Sequence, residues 1–363
     1  MTWITKKIIE EQLKETVDEG KLDEIESQAE KISQGFSDEF SLENILSSTL
    51  NGESIFDSQR MIESLKDMFL YEIRTAMILA IEIMIICIVA GLLKNLGESF
   101  QEHALTDISQ MICTMVIAGI SISSFQISYS LCLDAVSVMV NTMEILTPVL
   151  LGILFSTGAV SSGTLLSPLM IGSVTGVGIL IKRLILPILF ASTILSLLNC
   201  LTEKSYVNKL SKLLRNASLL STGLLLTVLT GILSVQGLLG ETADGLLLNT
   251  AKYSLSTFIP IVGGFTSDTV ELFLKCMASI KSVVGVFGIL TLVAVILIPL
   301  IKVITAAVIY KVTAAVAEPV AQPKIAEGLN DVGSCLFSIA SILFFTALLF
   351  IIFLAVIIGI GGR

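Results

Sequence analysis

The hydrophobic pattern of this chain changes character near residue 74. Before that point, apolar residues recur at helical spacing among charged ones. Leu13, Val17, Leu22, Ile25, Ala29 and Ile32 step by three to five positions with acidic and basic residues between them, which predicts amphipathic helices broken near Gly20. Phe36, Phe40, Leu42, Ile45, Leu46, Leu50 and Phe56 follow among Ser, Asn and Gly. About seventy residues bury only a small core, so residues 1–73 are expected to form a modest soluble helical domain. It either packs on a partner or remains a solvated tail.

From residue 74 to the end, long apolar runs take over. They lie at 75–93, 108–131, 139–155, 165–181, 184–201, 217–239, 283–301 with an extension to 309, and 335–360. At about 1.5 Å per residue, such runs can cross a hydrocarbon core about 30 Å thick. The predicted class is an all-α, polytopic helical membrane protein with six to eight crossings, because some segments can enter and leave on the same side. The small-residue stretch 156–163 fits either a re-entrant turn or a plain loop.

Residues 204–216 stand apart. On a helical wheel Tyr206, Leu210, Leu213 and Leu214 share one face, and Lys204, Lys209, Lys212 and Arg215 cover the other. This predicts an interfacial helix whose cations face anionic headgroups or a cytoplasmic partner. As the densest basic loop of the membrane part, it belongs in the cytoplasm by the positive-inside rule. Lys311 and Lys324 then agree, and counting backward through the spans puts Lys94 inside and the acidic domain outside. Lys182-Arg183 would face outside, against the rule, and is the weak point of this topology.

A shift of 112 residues superposes Val116–Ile120 on Val228–Ile232, Pro148 on Pro260, Gly152 on Gly264, Gly176 on Gly288 and Pro187 on Pro299. The pattern suggests two related halves, each with a Pro/Gly-interrupted segment at 147–152 and 259–264. Paired broken helices point to a transport site near the bilayer midplane, whereas ordinary helix kinks would leave the same trace.

Composition supports the membrane assignment. The chain is 54% hydrophobic and 15% charged, with a mean hydropathy of +0.90. The formal net charge of −9 resides wholly in the first 74 residues, which carry 17 acidic against 8 basic side chains. An acidic surface repels phosphate backbones, which argues against a nucleic-acid partner. The six cysteines show no C-x-x-C spacing and read as small packing residues, and His103 is too isolated for a metal site. The first residues contain no apolar run long enough for a signal peptide, so the tail is expected to cross without one or to lack its leader. No H-E-x-x-H, G-x-S-x-G or Walker A run is present, which argues against an enzyme, and no metal or cofactor is expected.

Ionisable groups in apolar spans cost a few kcal/mol and ask for a reason. Glu82, Glu144 with Asn141, and Lys302 are such groups. With Pro148, Gly152, Pro260, Gly263 and Gly264 they are the candidates for a pathway or gate lining. Interhelical pairing or snorkelling is the competing account, and Lys302 fits it slightly better.

From Lys209 onward the chain resembles the stage III sporulation protein AE family of endospore-forming bacteria. The resemblance rests on Leu213-Leu-Arg-Asn-Ala217, Ser234-Val-Gln-Gly237, Ala243-Asp-Gly245, Thr250-Ala-Lys252, Phe258-Ile-Pro-Ile-Val-Gly263, Ile301-Lys-Val303 and Tyr310-Lys311. Upstream, Ser156-Thr-Gly-Ala-Val-Ser161 with Pro168, and Pro187-Ile188, fit as well. The amino-terminal part matches only loosely, around Leu50-Asn-Gly-Glu53. The resemblance implies a non-enzymatic subunit of the channel joining mother cell and forespore, in the mother-cell membrane around the forespore. Its implied associates are an ATPase, ring-forming stage III A proteins and the forespore protein Q, in a hetero-oligomeric complex held in membrane lipids. Typical members begin with a signal peptide, where this sequence departs. The alternatives are an autonomous ion-coupled secondary transporter using Glu82 or Glu144, and a passive scaffold for the ring-forming subunits.

Overall fold

The computed structural model describes residues 58–100, 103–201, 207–258, 263–319, 321 and 323–360. The acidic stretch 1–57, Lys204, Tyr206 and Pro260 lie outside the described residues. Every described element is helical: α1 (Ser58–Phe100), α2 (His103–Ser156), α3 (Val160–Leu180), a π-helical turn (Ile181–Ile185), α4 (Leu186–Leu201), α5 (Asn208–Phe258), α6 (Gly263–Ala317) and α7 (Pro323–Gly359). Among the described residues, six stretches are long and apolar enough to cross a membrane: Phe69–Leu93, Ile108–Ser156, Val160–Leu201, Asn208–Gly237, Lys275–Ala317 and Pro323–Gly359.

Eight apolar runs become six spans because two pairs fuse. The runs at 108–131 and 139–155 belong to one helix, α2, whose backbone passes Asp134 while that side chain stays exposed. The runs at 165–181 and 184–201 join through the π turn. Lys182-Arg183 therefore lies in the middle of a continuous helical stretch and not in an outside loop, which corrects the expected topology. Proline explains the local widening. Pro187 lacks an N–H, and its ring would strike the carbonyl four residues back. A wider turn relieves this, and the Leu186 N–H bonds to the Ile181 carbonyl five residues earlier.

Two further expectations change. Residues 147–152 are helical within α2, so the first member of the paired broken segments is unbroken despite Pro148. The 112-residue register also slips, since it carries the α2–α3 turn at 156–160 onto 268–272, inside α6. Of the stretch 156–163, residues 157–159 form a tight turn and residues 160–163 open α3. The Thr157 N–H donates to the Ile153 carbonyl at 3.0 Å and the Gly158 N–H to the Phe155 carbonyl at 3.1 Å. Gly158 has φ 81°, a left-handed conformation that glycine adopts without strain.

α4 and α5 pack antiparallel, as do α6 and α7, which share the most extensive interface. Gly288 of α6 makes room there: a Cβ at that position would lie 2.5 Å from Leu146 of α2 and 3.0 Å from Leu354 of α7. At one end of the bundle Lys281 of α6 is wholly buried and donates from Nζ to the Ile360 carbonyl just past α7. At the other end, the finish of α4, the start of α5 and the start of α7 come together. The Ile108–Ser156 stretch has 49 residues. At about 1.5 Å per residue it measures about 74 Å, more than twice the height of a hydrocarbon core.

Candidate functional site

The most concentrated polar chemistry among the described residues lies where α4, α5 and α7 meet. α4 is apolar apart from a line of small hydroxyls, and Ser192 and Ser196, four residues apart, fall on one face. Both are buried, as is Ser211 of α5 opposite them. The two helices exchange hydrogen bonds. Ser192 Oγ donates to the Ser211 carbonyl at 2.7 Å, and Ser211 Oγ donates to the Ser192 carbonyl at 2.9 Å. Ser196 Oγ lies 2.5 Å from Ser211 Oγ and also donates to Asp331 Oδ2 of α7 at 3.5 Å. Small residues allow this close backbone approach, and their hydroxyls supply the glue that apolar contacts lack inside a membrane.

Charge completes the site. Arg215, one turn beyond Ser211 on α5, places a guanidinium nitrogen 3.7 Å from Asp331 Oδ1. One turn earlier on α7, Glu327 Oε1 accepts from Asn208 Nδ2 at 2.9 Å and stands 3.8 Å from Lys212 Nζ. Glu327 and Asp331 are thus matched, turn for turn, by Asn208, Lys212 and Arg215. Asp331 is 6% exposed, while Glu327 and Lys212 are open. Gly328, between the two acids, lies so close to α4 that an added Cβ would collide with Cys200 Sγ. The cluster ties α4, α5 and α7 together through three hydroxyls and a charge pair. Each hydroxyl is engaged with another or with a main-chain carbonyl, so none is presented as a nucleophile.

The residues singled out from sequence distribute differently. Lys209, Lys212 and Arg215 are not on a separate interfacial helix, because residues 208–216 open the 51-residue helix α5. Lys212 and Arg215 turn toward the acids of α7, since their i, i+3 spacing on α5 lines up with the i, i+4 spacing of Glu327 and Asp331. Leu210 and Leu213 are exposed, as are Lys209 and Lys212. Lys302 pairs with Glu72 of α1 at 3.4 Å. Glu82 is exposed on α1, and Gly263 and Gly264 open α6. Asn141, Glu144, Pro148 and Gly152 share one exposed stripe of α2, and Glu144 Oε1 accepts from Thr175 Oγ1 of α3 at 3.2 Å.

Sequence reasoning missed Ser192, Ser196, Ser211, Glu327 and Asp331. The serines carried a signal in their spacing of four, and Asp331 stands at the head of a long apolar run.

The family model described as stage III sporulation protein AE matches residues 40–361. The chain belongs to this family. It is 28% identical over 313 residues to stage III sporulation protein AE of Bacillus subtilis (strain 168), covering 86% of this chain and 78% of that relative. No solved structure matches. Among its described residues this family member is all-helical, with six helices long and apolar enough to span a membrane, and Arg215 lies inside the Leu213–Ala217 stretch that carried the resemblance.

Proposed function

We propose that the chain is a non-enzymatic membrane subunit of the channel complex between mother cell and forespore, contributing to its conduit or gate. It would reside in the mother-cell membrane around the forespore. Its associates would be the ATPase, the ring-forming stage III A proteins and the forespore protein Q. The observation that carries a gating role is the Arg215–Asp331 pair with its serine network. Buried intramembrane charges mark functional elements, and this one ties three helices at a single point. We further infer that the basic end of the bundle, carrying Lys209, Lys212 and Lys324, faces the mother-cell cytoplasm.

The test is spore formation by cells carrying Asp331→Asn or Arg215→Lys, with protein level in the membrane measured alongside. A sharp loss of spores at normal protein level is expected. Unimpaired sporulation would instead favour a passive scaffold. Solute movement by the purified chain alone in liposomes, driven by an ion gradient, would overturn the subunit reading in favour of an autonomous transporter.

A further inference from the structure

One outward line of α2 is polar over most of its length. Gln126, Ser130, Asp134, Asn141 and Glu144 are exposed, and Ser137 is half-buried. Steps of three and four keep all six within about 80° of one another on an ideal helical wheel. Pro148, Gly152 and Ser156 continue the line to the end of the helix. At about 1.5 Å per residue, Gln126 to Glu144 covers about 27 Å, close to the full height of a hydrocarbon core.

The neighbouring rod shows what surrounds the bundle at this height. α3 and α4 run antiparallel to α2: Thr175 bonds to Glu144, Gly178 lies against Val140, and the Phe190 ring sits 5.2 Å from that of Tyr129. Along this rod Val160, Leu165, Ile171, Ile179 and Leu184 are exposed. Such an apolar row is sheltered only by lipid or by protein, so this height does not stand in open water. The serines of α2 tolerate lipid, since Ser130 and Ser137 donate to carbonyls of their own helix. Glu144 has Thr175, with Lys182 of its own chain in electrostatic range. Asp134 is different. It is exposed at the middle of the line and makes no hydrogen bond or ion pair among the described residues. A lone carboxylate is costly in hydrocarbon, and in membrane proteins such groups almost always face protein or water.

We propose that this line is one wall of a water-filled passage for small polar solutes and cations, closed on its far side by a neighbouring chain. Long polar side chains at 126, 134, 141 and 144 hold off the close approach by which membrane helices pair, whereas water satisfies each of them without a matched partner. The adjoining side of α3 leaves room: Gly172 and Gly176 bracket Thr175, and a Cβ added at either would meet nothing within 4 Å. Asp134 sets the preference, because a carboxylate in a passage admits cations more readily than anions. The inference names the wall of the conduit proposed above and rests on that reading.

Cysteine reactivity tests this in opened native membranes from sporulating cells, where the full chain keeps its neighbours and charged, membrane-impermeant thiol reagents reach both sides. The background is a cysteine-free chain that still forms spores. Ser130→Cys, Ser137→Cys and Asn141→Cys should react about tenfold or more faster than Ile171→Cys and Ile179→Cys, because the reactive thiolate forms in water and not in hydrocarbon. Lys182→Cys should stay slow, since Lys182 is half-buried and the shorter cysteine stops short of the passage. Asp134→Asn should lower the ratio of cationic to anionic reagent rates at Ser130→Cys and Ser137→Cys several-fold. Slow reaction at all three α2 positions would put lipid or a tightly packed helix there. Equal reaction at Ile171→Cys would put the whole height in water. Either result, or an unchanged rate ratio in Asp134→Asn, would overturn the proposal. Failure of the gating reading shows separately, as unimpaired sporulation of Asp331→Asn cells while the α2 positions still react.

Discussion

Arg215 of α5 and Asp331 of α7 face each other at 3.7 Å inside the bundle, with Asp331 almost fully withdrawn from solvent. Removing one member of a buried pair strands the other, at about 3–5 kcal/mol, while replacing both with apolar groups is often close to neutral. Arg215→Met and Asp331→Leu should each lower thermal stability in detergent sharply. The double variant should recover most of the loss. Two neutral single variants would show that the pair is not a stabilising constraint.

Ser211 is the hinge of the hydroxyl network, bonded to Ser192 and in contact with Ser196. Ser211→Ala removes its hydrogen bonds at about 1 kcal/mol each, whereas Ser211→Leu also overfills the α4–α5 contact at about 1–3 kcal/mol. Size-exclusion profiles after heating should rank wild type, alanine and leucine in that order.

Accessibility to a membrane-impermeant thiol reagent separates the fused helix from two short spans. Lys209→Cys and Lys324→Cys should label from one side and Ser156→Cys from the other. Lys182→Cys should resist labelling from both, because it lies mid-helix. Labelling of Lys182→Cys from the same side as Ser156→Cys would restore a loop at that point.

These comparisons show what was legible in the sequence. The helical membrane class was readable from apolar run length, although the runs starting at 217, 283 and 335 begin well inside the spans that open at Asn208, Lys275 and Pro323. Continuity was not. A hydropathy window treats Asp134 and Lys182-Arg183 as interruptions, although a charged side chain turned outward does not break a helical backbone. Direction was equally hidden. In a soluble protein a polar stripe marks the outside, but lipid is as apolar as a core, so Asn141, Glu144, Pro148 and Gly152 could have faced either way. The pairing of Arg215 with Asp331, more than a hundred residues apart, needed the fold.

Lys281 offers a local test. It is wholly buried, and its ammonium group caps the end of α7 through the Ile360 carbonyl. A cation at a helix C-terminus is worth about 0.3–2 kcal/mol. In Lys281→Met the last turn of α7 should fray, raising amide exchange at residues 356–360 several-fold with little change at Cys335 or Leu336. Unchanged exchange would assign Lys281 another role.

The widened turn at 181–185 has a consequence for the whole polar site. One residue added to a helix swings everything after it by about 100°, and a single π turn absorbs one such insertion. The turn therefore sets the rotational phase of α4 relative to α3. It lets one uninterrupted rod present Gly172 and Gly176 outward in its first half and Ser192 and Ser196 toward α5 in its second. Deleting one residue there would leave apolar length and composition almost untouched, yet it would aim the serine line away from Ser211 and Asp331.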